Sequence, residues 1–367
     1  MKELRISFCT VCRNRLYHLK ETILKNIEDN NDYQNLEFIL LDYNSDDGLW
    51  EYIKENLKAH IETGRLVYYK TTEPRYFNRT HSRNLAFRLA TGDILCNLDA
   101  DNFTGKGFAE FVNSNFINSD NIFLSATGFS NDVLGRICVI RKHFEFLKGF
   151  DETMVNYGFE DFDFINRLEL LGVEQKQIKE PSFLHAIKHS NAERISEEPL
   201  RKTIYKIMVH QINYYSSTLL FLFENGAYEM GTIINEINKH SDNCLNELEQ
   251  PGNTRYEFSL AGNTWEKGSW EECPEGIQLQ AKGINEILYS QRENIYTFQT
   301  KVQPNKIFCD LTDAGMIDEA VFFHSQVGNR IIMTENLKQK KTIVNEYGFG
   351  QGSVSKNFKN EDLLVIL

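Results

Sequence analysis

The chain contains no apolar stretch long enough to cross a membrane. Its opening, Met1-Lys-Glu-Leu-Arg-Ile-Ser7, lacks the apolar core of a secretion signal. Basic residues are in the minority. Lys and Arg number 40 against 52 Asp and Glu, a net charge of -12, which argues against a general nucleic-acid binder. The same field repels anionic ligands, so any such ligand must be met by local cations or a metal. Cysteines are few, scattered and odd in number, seven in all, which reads as reduced thiols in a cytoplasmic protein. Cys9 and Cys12 form a CxxC, but no second pair stands at zinc-site spacing and no helix carries them in redox-motif fashion. No repeat and no low-complexity tract is present.

What the chain does have is an ordinary globular composition, 41% hydrophobic and 25% charged over 367 residues, with room for two domains and a sizeable core. Its first half alternates strand and helix. Arg5 to Val11 reads as a strand, followed by a helix with Leu16, Leu19, Ile23 and Ile27 on one face. Leu36 to Leu41 is a second buried strand that opens into the turn residues Asp42-Tyr-Asn-Ser-Asp-Asp-Gly48. A helix on Leu49, Trp50, Ile53 and Leu57 and a strand over Arg65 to Tyr69 follow. This order predicts βαβ units and a parallel sheet.

The stretch Thr91-Gly-Asp-Ile-Leu-Cys-Asn-Leu-Asp-Ala-Asp-Asn102 carries the strongest chemical signal. Ile94, Leu95, Cys96 and Leu98 suit a strand covered on both faces. Asp99 and Asp101 then fall at its carboxyl end, where open α/β sheets build their ligand crevice. Side chains two apart on extended backbone point the same way. Magnesium or manganese suits such oxygen ligands, with a diphosphate completing the shell.

Further on, Asn121 to Phe129 and Gly135 to Ile140 read as strands, and Tyr157-Gly-Phe-Glu-Asp-Phe-Asp163 opens a helical pattern. Carboxylates there suit the first turn of a helix as well as a site. Pro199 to Phe223 reads as a helix, ending in Leu219-Leu-Phe-Leu-Phe223, which is too short to span a bilayer. That run suits packing between domains or contact with a membrane surface. Near Gln250-Pro-Gly-Asn253 the texture turns to short alternating stretches separated by Gly and Asn, the pattern of a β-rich domain. Trp265 and Trp270 there suit core packing or a sugar-stacking platform.

Several basic and aromatic residues fall at the sheet's carboxyl edge: Arg13-Asn14-Arg15, then Phe77-Asn78-Arg79, then Arg83-Asn84. Arginines there can hold phosphates by paired hydrogen bonds, and an aromatic can stack on a nucleobase. Taken in order with Asp99-Ala-Asp101, Tyr157-Gly-Phe-Glu-Asp161 and Ile187-Lys-His189, these motifs resemble those of GT-A glycosyltransferases. The nearest group is β1,4-galactosyltransferase-like, with broader similarity to family 2 enzymes. The resemblance covers about the first 200 residues. It implies an α/β fold: a Rossmann-like, mostly parallel GT-A domain over residues 1–200. A helical linker over 201–250 and a smaller β-rich accessory domain over 251–367 complete the expected organisation.

The resemblance also assigns roles. Arg13 and Arg15 approach the diphosphate of a UDP-sugar; Arg83 is a candidate nucleotide-binding residue only as one of the arginines gathered at the sheet edge. Phe77 and Arg79 hold the uracil, Asp42 contacts uracil or ribose, and Asp99 touches the ribose or sugar. Asp101 and His189 bind Mn2+ or Mg2+. Glu160 and Asp161 sit beside a glycan or lipid-linked saccharide acceptor, with Asp161 as general base, and Tyr157 packs on the sugars. An inverting transfer needs one such base and a cation to neutralise departing UDP. The chain departs from the family at Ala186, where the family has a methionine ligand, and at Gly158-Phe159, where it has Gly-Gly. Water or His185 would substitute for the methionine. Val133 stands near the place of a tyrosine that restricts the sugar's 2-substituent, which would leave room for an N-acetyl group. A sugar nucleotidyltransferase is the competing enzyme class, although Cys12-Arg-Asn-Arg15 is not a Gly-rich phosphate loop. A non-catalytic nucleotide-sugar or carbohydrate-binding protein is the competing non-enzyme.

Overall fold

The computed structural model describes residues 3–126, 131–236, 258–298, 306–359 and 362–365. They form two compact units, one of residues 1–199 with 328–367 and one of residues 200–327.

The first unit is built on strands β1 (Ile6–Cys12), β2 (Leu36–Tyr43), β3 (Leu66–Thr71) and β4 (Ile94–Asn97), with a short β5 (Asn102–Phe103). β6 (Ile122–Ser125), β7 (Ile137–Ile140), β8 (Glu174–Gln177) and a short β9 (His185–Ala186) follow. β1 pairs in parallel with β2 and β4, and β2 with β3. β7 joins β4 antiparallel, so the sheet is parallel at its centre and mixed beyond. Alternate side chains enter opposite cores, as the pleat demands. Phe8, Phe38, Leu40 and Cys96 pack on one face. Cys9, Ile39, Leu41 and Leu95 pack on the other. The same alternation sends Cys9 and Cys12 to opposite faces, so the CxxC is not a pair, and all six described cysteines are free.

Helices cover both faces: α1 (Leu16–Asp29), α2 (Leu49–Asn56), α3 (Lys58–Glu62), α4 (Arg79–Leu89), α5 (Phe108–Phe116), α6 (Arg141–Leu147) and α7 (Glu160–Leu170). Two short helices follow, α8 (Asn191–Ile195) and α9 (Pro199–Thr203). The strand expected over 121–129 ends at Ser125, and residues 127–129 lie outside the described part.

Two expectations are corrected. The helix expected over Pro199 to Phe223 stops at Thr203, and the chain continues as β10 (Ile204–Asn213) and β11 (Ser216–Phe223). There is thus no helical linker over the described part of 201–250. The segment is rich in β-branched Ile204, Ile207, Val209 and Ile212, and Asn213 to Tyr215 turn the chain. The run Leu219 to Leu222 is a buried β11 core, not a membrane-facing surface. The texture change read near residue 250 lies outside the described residues.

The second unit goes on through β12 (Ala227–Asn235), β13 (Phe258–Leu260), β14 (Glu266–Cys273), β15 (Gly276–Ala281), β16 (Ile284–Arg292), β17 (Ile295–Phe298) and β18 (Lys306–Asp310). Antiparallel pairing runs β11-β10-β18-β17-β16-β15-β14-β12 and returns from β12 to β11, closing an eight-stranded barrel with β13 on its side. Closure removes the free edges. Trp265 stacks on His324 (4.5 Å between ring centroids) and meets Phe221 edge-on, which is packing rather than a platform.

The β-rich domain therefore occupies 200–327, not 251–367. The long helix α10 (Ala314–Lys338) leads back to the first unit, whose sheet gains β19 (Gly352–Lys356) on the edge of β3 and β20 (Asp362–Val365) beyond it. Asn336 on α10 donates to Asp151 (2.9 Å) and Asp163 (3.0 Å), both buried. No helix among the described residues is long and apolar enough to cross a membrane.

Candidate active site

β4 ends at Asn97, and the chain turns through Asp99 and Asp101 before β5. Three interactions shape the turn: Asn97 Nδ2 donates to Asp99 Oδ1 (3.0 Å), Asn102 N to Asp99 O (3.0 Å), and Asn102 Nδ2 to Asp101 Oδ1 (2.9 Å). β5 pairs with β9, and Ile187 N donates to Asp101 O (2.9 Å), which carries the following segment past the turn. As a result His189 Nε2 lies 2.7 Å from Asp101 Oδ2. His189 Nδ1 is buried with no partner among the described residues, so Asp101 anchors the ring.

A second cluster surrounds Arg83 on α4. Its guanidinium meets Asp161 at 2.7 Å, Asp99 at 3.2 Å and Glu160 at 3.4 Å. Glu160 and Asp161 open α7, where the helix dipole favours carboxylates, but here both also face a cation. Asp99 is the link between the two clusters, since it binds Arg83 and stands two residues from Asp101. Burial pushes the Asp161 carboxyl up to about 7, opposed by Arg83 and reinforced by Glu160 and Asp99. Asp99 moves the other way: burial raises it, but Arg83 and the Asn97 amide outweigh that and hold it below the usual carboxylate range. Gly135 lies against this contact. A Cβ there would stand 2.6 Å from Asp99 Oδ2 and 2.9 Å from Arg83 Nη2.

Arg79 lies between the rings of Phe77 (5.1 Å) and Tyr157 (4.9 Å), with Glu198 at 3.0 Å and Glu160 at 3.4 Å. Its charge is thus spent on carboxylates rather than left open for a base. Burial lifts Glu198 to about 7, against the pull of Arg79. Arg13 donates to the carbonyls of Pro74 (3.0 Å) and Arg75 (2.6 Å) and pairs with Glu197 (3.4 Å). Arg15 donates to Glu193 O and to Ser196 Oγ (3.2 Å). Both arginines expected at the diphosphate therefore clamp the segment after His189. Asp42 is set apart, fully buried beneath Tyr68 Oη (2.6 Å) and Lys70 (3.5 Å). His185 packs against Phe103 (5.2 Å) on β9, and Val133 is fully buried.

Sequence reasoning missed a polar stripe on α1. His18, Thr22 and Asn26, each one turn apart and all buried, continue into Asn30 at the helix end. Thr22 Oγ1 donates to Ala100 O (2.7 Å), Asn26 Nδ2 to Asn102 O (2.9 Å), and Asn30 Nδ2 to Thr104 Oγ1 (2.9 Å). The i,i+4 repeat beside the apolar face was the available signal. Arg136 was also missed. Fully buried, it donates to Asn102 Oδ1 (3.0 Å) and Phe103 O (2.9 Å).

Among the described residues no group of three or more His, Cys, Asp or Glu is placed to hold a metal ion. Asp101 and His189 nonetheless offer one carboxylate oxygen and one imidazole nitrogen side by side. Two ligands on adjacent corners of an octahedral shell stand about 3 Å apart, so the pair fits a divalent ion whose other ligands come from phosphate and water. A cavity of about 520 Å³ opens at the opposite edge of the sheet, among Arg5, Asn35, Glu37, His60 and Arg65, and none of these site residues lines it.

Two family models match end to end: glycosyl transferase family 2 over residues 7–122 and the N-terminal domain of galactosyltransferase over residues 123–193. Among curated proteins none matches the chain. Solved structures similar to it include mannosyltransferase PcManGT from Pyrobaculum calidifontis in complex with GDP-Man and Mn2+, at 21% identity and a TM-score of 0.41 over 48% of this chain and 55% of that one. S. aureus TarS 1-349 in complex with UDP is 13% identical with a TM-score of 0.40, over 48% of this chain and 58% of that one. The catalytic domain of Drosophila beta1,4galactosyltransferase 7 in complex with xylobiose is 16% identical with a TM-score of 0.33, over 57% and 89%. The likeness thus spans little more than half of the first two chains. No score reaches 0.5, so no substrate or residue role passes from these structures to this chain.

Proposed function

We propose that this glycosyltransferase, whose residues 7–193 carry family 2 and galactosyltransferase domains, moves a hexose or N-acetylhexosamine from a UDP-sugar to an acceptor hydroxyl with inversion. The acceptor would be a glycan or a lipid-linked saccharide. One observation carries the reading. Arg83 holds Asp161 and Asp99 on a single guanidinium, which puts a carboxylate that gains a proton near neutral pH beside the Asp-x-Asp turn.

Asp161 is the general base. A base works best when its pKa lies near the working pH, and burial brings Asp161 there. Its side chain keeps 15% exposure, through which an acceptor hydroxyl can reach it. Arg83 fixes the carboxylate's orientation and stays charged as the proton arrives, with Asp99 and Glu160 as its remaining partners. Glu160 is a positioning residue, since it is almost fully buried and binds both Arg79 and Arg83. Asp101 and His189 would hold Mn2+ or Mg2+, which when bound neutralises charge on the leaving diphosphate. Arg13 and Arg15 act indirectly in this reading, by tying residues 193–197 down beside His189. Phe77 and Tyr157, flanking Arg79, form the aromatic wall for base and sugar.

A screen of UDP-sugars with and without manganese, read as UDP release in the presence of oligosaccharide acceptors, tests the proposal. Metal-stimulated release of UDP with retention of none of the donor's anomeric configuration is the expected result. Pyrophosphate release from UTP and a sugar 1-phosphate, with no UDP released from any UDP-sugar, would establish the nucleotidyltransferase class instead. Tight UDP binding with no turnover on any donor would establish a binding protein.

A further inference from the structure

His18 has no role in the scheme above, yet it is the member of the α1 stripe closest to the chemistry. Thr22 holds the Asp-x-Asp turn at Ala100, and Asn26 and Asn30 hold the segment that follows it. His18 is 5% exposed, and its ring makes no hydrogen bond to any described residue. It faces the His189 ring at 5.3 Å, and its charged neighbours are Asp101, His189, Arg15 and Glu193. A neutral imidazole always carries one N–H, and the His18 ring nitrogens are not sealed from solvent, so that donor is open to water or to a ligand. The nearest carboxylate is engaged elsewhere, Asp101 Oδ1 with the Asn102 amide and Oδ2 with His189, and takes no bond from the His18 ring. Direct ligation of a cation by all three is not preformed, since these residues are not placed as a metal-holding group. The missing acceptor must come from outside the protein, and beside Asp101 and His189 the group to be expected is an anionic oxygen.

We propose that His18 is a substrate-binding residue that donates a hydrogen bond to a diphosphate oxygen of the bound nucleotide. The proposal rests on the reading that a nucleoside diphosphate occupies this edge of the sheet. It gives a role to a buried polar residue on α1 whose ring no described residue partners by a hydrogen bond.

Calorimetry on the full chain with UDP and Mn2+, with Mn2+ alone, and a thermal melt test it. His18→Leu should weaken UDP by about 10–100-fold, the span of one hydrogen bond to a charged group. It should leave the affinity for Mn2+ alone unchanged and the melting temperature equal or higher. His18→Gln, which keeps a donor, should restore most of the UDP affinity. His18→Phe, a ring without nitrogens, repeats the loss if leucine upsets the packing. UDP affinity within twofold of wild type in both apolar variants would overturn the proposal. So would a loss of affinity for Mn2+ alone, which would make His18 a cation ligand. If wild type itself fails to bind UDP with Mn2+, the functional reading falls and the proposal with it.

Discussion

Replacing Asp161 by Asn separates catalysis from stability in a way that no merely structural carboxylate would. In the folded chain its carboxyl is raised from 3.8 to about 7, chiefly by burial. The folded state therefore holds this proton more tightly than the unfolded state does. The group's contribution to stability is fully present below about pH 4 and is lost as pH rises through about 7. At 1.36 kcal/mol per pH unit the whole loss is about 4 kcal/mol, and about 2–3 kcal/mol of it falls between about pH 5 and about pH 8. An amide imitates the protonated form at every pH, so Asp161→Asn escapes the loss. Its melting temperature relative to wild type should rise by about 5–10 °C between those two pH values. Activity should move the opposite way. Loss of the base lowers kcat by about 10²–10⁴-fold. The acid limb of the wild-type kcat/KM profile, with its midpoint near 7, should vanish from the residual rate. Paired thermal melts and pH–rate profiles measure both. A melting difference that stays constant with pH, or an acid limb that survives in the variant, would refute the assignment of Asp161.

Chelation with EDTA should abolish activity, and Mn2+ or Mg2+ should restore it; Asp101→Asn and His189→Ala should each lower the affinity for Mn2+ in the presence of UDP by at least about 10-fold, read by calorimetry. Gly135→Ala brings a methyl against Asp99 and Arg83, so kcat/KM should fall by about 10–100-fold as the contact is pushed apart, while the circular dichroism spectrum stays that of wild type. Asn336→Ala leaves Asp151 and Asp163 short of a buried donor; a destabilisation of about 2–3 kcal/mol in urea unfolding is expected, and an unchanged midpoint would show that the returning helix α10 is not held by this contact.

The sheet and its carboxylates were legible because burial on both faces writes a local pattern. β2 is buried along its whole length, and so is β4. A strand of that kind appears as a nearly continuous apolar run, broken in β2 only by Glu37, and the residue that ends the run marks the carboxyl edge. Position 204–223 failed for the opposite reason. Ile204, Ile207, Met208 and Gln211 satisfy a helical spacing, and the same residues pair antiparallel with β11. Periodicity over so short a span does not choose between the two; the partner strand does. β19 is a stronger case, since its partner β3 lies some 280 residues earlier and nothing near residue 352 encodes it.

The site shows a further limit. Sequence identifies a charge but not its counter-charge. Arg13, Arg15 and Arg79 were read as cations waiting for a nucleotide, and all three are engaged with residues 193–198 of the same chain. The acceptors that hold them lie about 120–180 positions away, on a segment whose local pattern announces only a short capped helix. His18 was lost by the reverse inference. A polar residue on an amphipathic helix is ordinarily solvated, so nothing local marks the stripe it heads as buried. Only the burial of Thr22, Asn26 and Asn30 against the Asp-x-Asp turn shows that this helix has two inward faces, one apolar and one made to grip backbone. A helix of that kind is what a site needs when its carboxylates stand on a turn. The turn closes on one backbone bond, Asn102 N to Asp99 O, and side chains from a rigid neighbour hold the carbonyls of Ala100 and Asn102.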